Sequence, residues 1–180
     1  MTEGRILICG TGRAGTSFLM RLLTRLGYDT GYTPEADGFN PVIRAGCELE
    51  ATDWHLPETW ERLPKIVKSP YLSECIDVVP VPIQHVLIPV RSLREVAESR
   101  RQSGTHWGSN EEPTAEQMAE KLGKAVAACM TRSLPFTLLQ YPRLTTDARY
   151  CLHALRGPLI DLRYGKKLDA FEGIHNELQR

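Results

Sequence analysis

Apolar positions along the chain follow two rhythms, one of unbroken short runs and one with a period of three to four residues. Arg5-Ile-Leu-Ile-Cys9 is a short, branched run closed by glycine, which predicts a buried strand. After a glycine-rich turn, Phe18, Leu19, Leu22, Leu23 and Leu26 recur at helical spacing, and Gly27 is a natural stop for that helix. Ile66-Val67 and Val86-Leu-Ile-Pro-Val90 predict two more buried strands. Ser92 is placed to cap a helix through about Gln102, with Leu93, Val96 and Ala97 on its inner face. Thr114 and Gln117 have the spacing of a capping box and open a long helix to about Ser133. Phe136 to Gln140 predicts a fourth strand and Thr146 to Leu155 a further helix. The stretches Gly31–Gly46 and Ser103–Pro113 read as loops.

Strands alternating with helices predict one α/β domain over residues 1–180, a three-layer α/β/α arrangement around a mostly parallel sheet. In such folds ligands gather at the carboxyl ends of the strands, so the loops there become the place to look for chemistry.

Composition narrows the function classes. With 42% hydrophobic and 24% charged residues the chain resembles ordinary globular proteins. Lys plus Arg (22) equals Asp plus Glu (22), which excludes a globally basic surface for nucleic acid or membrane but not a local basic pocket. The most apolar region, Cys75 to Val90, is broken by Asp77, Pro80, Pro82 and His85, so no membrane span is expected. The start, MTEGRILICGTG, lacks the basic opening and long apolar segment of a secretory signal. Five scattered cysteines, Cys9, Cys47, Cys75, Cys129 and Cys151, form no CxxC pair. Together these predict a cytoplasmic protein with reduced thiols.

The candidate chemistry begins at Gly10-Thr-Gly-Arg-Ala-Gly-Thr-Ser17, which follows the first strand and opens the first helix. Glycines allow close backbone approach, loop N–H groups converge, and a helix N-terminus favours an anion; the segment reads as a phosphate cradle. A nucleoside-triphosphate loop needs GxxxxGK[ST], and here Thr16 stands at the lysine position with Arg13 the one cation of the loop. Magnesium would need a carboxylate at a neighbouring strand end, yet Ile88-Pro-Val-Arg91 ends in a cation. The loop is therefore expected to take a phosphate-type group without a metal. Arg91, with Ser99 eight residues on, is placed to hold a second phosphate; Lys68, in Ile66-Val-Lys-Ser-Pro70, stands at a third strand end. For Arg94, Arg100 and Arg101 a solvated basic helix face is an equal reading.

These residues carry a resemblance. GTGRAGTSFLMRLL (residues 10–23) resembles the 5′-phosphosulfate loop of the sulfotransferase family, typically GxxRSGTS or PKSGTT. IPVRSLREVAESR (residues 88–100) is similar to that family's 3′-phosphate motif, a strand ending in Arg followed by a helix with Ser eight residues later. IVKSP resembles its Lys-x-Pro segment, and LLQYPRLTTDARYCLHAL its late strand, turn and helix, often written YEDL. The resemblance implies a P-loop NTPase-like fold that binds 3′-phosphoadenosine 5′-phosphosulfate and passes its sulfuryl group to a hydroxyl or amine. It implies that Arg13, Gly15, Thr16 and Ser17, with Gly12 and Ala14 of the same loop, hold the 5′-phosphosulfate, and Arg91 and Ser99 the 3′-phosphate. Arg13, Lys68 and backbone N–H groups would meet the charge that develops in transfer. For the base the resemblance offers Glu35, in Thr33-Pro-Glu-Ala, then His55; a solvated carboxylate and a surface or packed histidine are the competing readings.

The chain departs from the family in being shorter than is usual there, in having Ala14 in place of a Ser, and in Pro142-Arg143 where acidic residues are common. His106 and Trp107 are placed to flank an acceptor or the adenine, and Arg163–Lys167 to reach the 3′-phosphate. The expected acceptor is a small molecule or glycan, taken by loops 31–60 and 103–113, with no nucleic-acid or membrane partner. Two other functions stay open: a nucleotide-dependent kinase with a degenerate loop, and a catalytically silent nucleotide-binding protein. Nothing in the sequence sets the oligomeric state.

Overall fold

A computed structural model of the chain describes residues 4–35, 39–40, 45–46, 48, 53–103, 114–159 and 168–179. Strand β1 (Arg5–Ile8) leads through the glycine turn into helix α1 (Thr16–Arg25). Two short segments, β2 (Phe39–Asn40) and β3 (Ala45–Gly46), pair antiparallel. Helix α2 (Pro57–Glu61), strand β4 (Ile66–Lys68) and helix α3 (Leu72–Cys75) follow, the last running into a 3₁₀ turn at Ile76–Val78. Then come β5 (Ile83–Val90), α4 (Leu93–Ser103), α5 (Ala115–Thr131), β6 (Phe136–Gln140), α6 (Arg143–Thr146), α7 (Ala148–Leu155) and α8 (Leu168–Glu177). The four strands expected from the apolar runs form one all-parallel sheet in the order β4-β1-β5-β6. Ile8 pairs with Lys68 on one side and Leu87 on the other, so the ends of β4 and β1 stand side by side.

Both faces of the sheet carry helices, which is why β1 and β4 read as unbroken apolar runs rather than alternating ones; the edge strand β6 leaves Leu138 half exposed. Ile6 and Ile8 pack with Leu19, Leu22 and Leu23 of α1 and with Cys151 and Leu155 of α7. Leu7 and Cys9 point the other way, onto Trp54, Trp60, Leu72, Ala125 and Cys129. Each fully buried Leu or Ile in these two clusters contributes about 1.5–3 kcal/mol over its exposed state. Helices on both faces of a parallel sheet are compatible with the expected three-layer α/β/α fold.

The capping box is present: the Thr114 hydroxyl accepts from Gln117 N–H while the Gln117 side chain accepts from Thr114 N–H. The helix expected from Thr146 to Leu155 starts two residues later, at Ala148, and an unexpected short helix, α6, precedes it. Asp147 is extended (φ −126°, ψ 95°) and its carboxylate accepts from Tyr150 N–H, so α7 starts afresh behind α6. Helices α2, α3 and α8 were not expected; the first two have five and four residues, too few to show a period. Residues 104–113 and 160–167, with His106, Trp107 and the Arg163–Lys167 stretch, lie outside the described residues. Among the described residues no helix is long and apolar enough to cross a membrane, and Cys9, Cys75, Cys129 and Cys151 form no disulfide.

Candidate functional site

A cavity of about 540 Å³ opens at the carboxyl ends of the sheet strands, bordered by residues that follow β1, β4, β5 and β6 in turn. The glycine loop forms its floor. Gly10, Gly12 and Gly15 all take positive φ, at 130°, 69° and 94°. Gly10 passes so close to β5 that a Cβ there would meet the Pro89 carbonyl oxygen at 3.2 Å. Gly15 caps α1 with no side-chain acceptor, and the first turn of α1 carries no acidic residue. The N–H groups that open that turn, and the positive end of the helix dipole, therefore lie at the cavity. Ser73 of α3 clamps the start of the loop. Its buried hydroxyl accepts from Gly10 N–H at 2.7 Å and donates to Gly10 C=O at 2.8 Å.

Around this floor the cations converge. Arg13 also takes a positive φ (53°), which is uncommon outside glycine, and from there its Nε donates to Ser99 Oγ at 3.1 Å. Arg91 donates to the Arg13 carbonyl at 3.4 Å, pairs with Glu95 at 2.8 Å, and lies over the Tyr141 ring at 4.8 Å. The two anion-binding groups expected from the sequence are thus joined in one network.

On the other side, Lys68 leaves the end of β4 with only 3% of its side chain exposed. Its ammonium donates to Glu48 Oε1 at 2.9 Å and Ser17 Oγ at 3.3 Å. Arg100 is buried as well, in contact with Met118 Sδ, and burial lowers its guanidinium below the usual arginine range without discharging it. Among the described residues that border the cavity, five are Lys or Arg (Arg13, Arg21, Lys68, Arg91, Arg100) and one, Glu48, is acidic. In a chain of zero net charge that local excess makes the cavity electropositive.

Of the residues singled out in the sequence, Gly12, Arg13, Gly15, Thr16 and Ser17 border the cavity, as do Lys68, Arg91 and Ser99. Ala14 is fully buried and does not border it. Glu35 and His55 are exposed and lie outside it: Glu35 closes the turn after Thr33, and His55 sits on the surface beside buried Trp54. Five residues were missed, Arg21 of α1 among them. Arg100 continues the inward series Leu93, Val96, Ala97 by a further three residues, a signal present in the sequence. Glu48, Ser73 and Tyr141 carried none. Among the described residues no group of three His, Cys, Asp or Glu is placed to hold a metal ion.

No family model, no curated protein and no solved structure matches the chain.

Proposed function

We propose that this chain is a sulfotransferase of P-loop-like fold that takes 3′-phosphoadenosine 5′-phosphosulfate as donor and a hydroxyl or amine of a small molecule or glycan as acceptor. One observation carries the reading: the Lys68 ammonium lies 3.3 Å from Ser17 Oγ. In GxxxxGK[ST] loops of nucleoside triphosphatases that hydroxyl binds magnesium, with an Asp from a neighbouring strand. Here a buried cation stands beside the hydroxyl, and Arg91 ends the central strand where the Asp would be. Fixed cations and loop N–H groups suit a donor with anionic groups at both the 5′ and 3′ positions. A cavity of about 540 Å³ is also within the roughly 300–1,000 Å³ of small-ligand clefts.

In this reading the glycine loop and α1 hold the 5′-phosphosulfate, Arg13 and Lys68 meet charge on the oxygens around sulfur, and Arg91 with Ser99 holds the 3′-phosphate. The acceptor oxygen bonds to sulfur as the bond from sulfur to the 5′-phosphate oxygen breaks, leaving adenosine 3′,5′-bisphosphate. The test is titration calorimetry with adenosine 3′,5′-bisphosphate, adenosine 5′-monophosphate and magnesium-ATP, on the wild type and Arg91→Ala. The bisphosphate is expected to bind tightest. Loss of a charge-assisted phosphate contact, about 1.5–3 kcal/mol, weakens it roughly 10- to 100-fold in the variant. Equal affinity for all three nucleotides, or tighter binding of magnesium-ATP, refutes the proposal, the latter in favour of a kinase.

A further inference from the structure

We infer that Glu48 is an internal counter-ion that the donor displaces from Lys68 and that then accepts the acceptor's proton; the inference rests on the sulfuryl-transfer reading. A buried ammonium needs an anion, and Lys68, buried to 97% of its side chain, has Glu48 at 2.9 Å. The two partners are unequal. Glu48 keeps 25% of its side chain exposed, so its carboxylate reaches solvent by a rotation while Lys68 has nowhere to go. The Glu48 backbone stays anchored, because the Tyr32 hydroxyl donates to its carbonyl at 2.8 Å.

The ammonium is also bound to Ser17 in the first turn of α1, which places it at the anion cradle. A polyanion settling there competes for that ammonium and repels the carboxylate. A carboxylate that has lost its cation is a better proton acceptor. No other described residue bordering the cavity is a carboxylate or a histidine. The step balances: the acceptor O–H oxygen forms the new S–O bond, and its proton passes to Glu48. The electron pair of the broken S–O bond leaves on the 5′-phosphate, and Glu48 later gives the proton to water.

The experiment measures adenosine 3′,5′-bisphosphate affinity and the rate at which the full chain releases bisphosphate from the donor with water as acceptor. The proteins are the wild type, Glu48→Gln and Glu48→Asp. Removal of the competing charge makes Glu48→Gln bind bisphosphate about tenfold tighter, while loss of the base slows release roughly 100-fold. Glu48→Asp keeps the negative charge near Lys68 but shortens the reach, so affinity changes little and release slows; it decides the matter if Glu48→Gln does not fold. A merely structural Glu48 would weaken binding in Glu48→Gln and leave the Glu48→Asp rate unchanged, and either result overturns the inference while the donor assignment survives. Absence of bisphosphate binding in the wild type removes the donor assignment itself, and this inference with it. Magnesium-dependent ATP binding that Glu48→Gln abolishes overturns it too, by making Glu48 a metal ligand.

Discussion

Ser73→Ala removes one oxygen atom and tests whether the anion cradle is held from outside the loop. The Ser73 hydroxyl makes two contacts with Gly10, at 2.7 and 2.8 Å, in a place where Ser73 is 1% exposed. Alanine leaves the Gly10 N–H and C=O without that partner. A buried polar group left unsatisfied costs about 1–3 kcal/mol, so two of them set a ceiling of roughly 6 kcal/mol. Relief of burying the hydroxyl itself and small shifts of the loop reduce this to about 3 kcal/mol. For a domain of this length the expected drop in melting temperature is about 6–12 °C, at 2–4 °C per kcal/mol. Differential scanning calorimetry measures the stability loss, and titration with bisphosphate shows whether affinity falls with it. A stability loss below about 1 kcal/mol would refute the reasoning, since it would mean that the Gly10 groups find other partners at no cost.

Gly15→Ala, with φ at 94° and Leu144 Cδ2 3.1 Å from the new Cβ, is expected to lose about 1–2 kcal/mol from the left-handed backbone alone, and bisphosphate affinity with it. Gly12→Ala, with nothing within 4 Å of its Cβ, is the control and should lose less in a parallel melt and titration. Alkaline pH should destabilise the fold: burial pushes the Cys151 thiol up to about 12 and Cys9 higher still. Both thiols stay protonated in the fold while the unfolded chain ionises near pH 9, so their contribution is complete below pH 9 and is lost between about 9 and 12. Urea midpoints at pH 8 and 10.5 check this, and equal midpoints would count against it.

The inner strands of the sheet were legible because they are buried on both faces and so appear as apolar runs, Ile6–Cys9 being the clearest. The cap at Thr114 was legible because its two hydrogen bonds lie within four residues. The glycine loop was legible for the same reason of locality. What a strand end faces across the sheet is not local, and Glu48 shows the limit: it follows a two-residue strand, and only the fold brings it to Lys68, 20 residues on. Glu35 was favoured by its nearness to the first helix in sequence, but the turn at Thr33 carries it outward. For Arg100 composition left solvent and site as equal readings, because three arginines share one helix, while the period puts this one inside.

The position of Lys68 links fold to chemistry more closely than the loop motif does. Thr16 leaves the loop without the lysine that a phosphate loop normally carries. Parallel pairing of Ile8 with Lys68 restores a cation from the neighbouring strand, but from the side of Ser17 rather than from the helix itself. A cation supplied that way is buried before any ligand arrives, so it must already be neutralised, and Glu48 does this at 2.9 Å. Under the proposed reading this carries a built-in consequence: the site holds its own competing anion, and the donor must be anionic enough to displace it. A monophosphate offers one centre of charge against that pair. The proposed donor, with charge at both ends, would also engage Arg91 and Arg13, which Glu48 does not occupy.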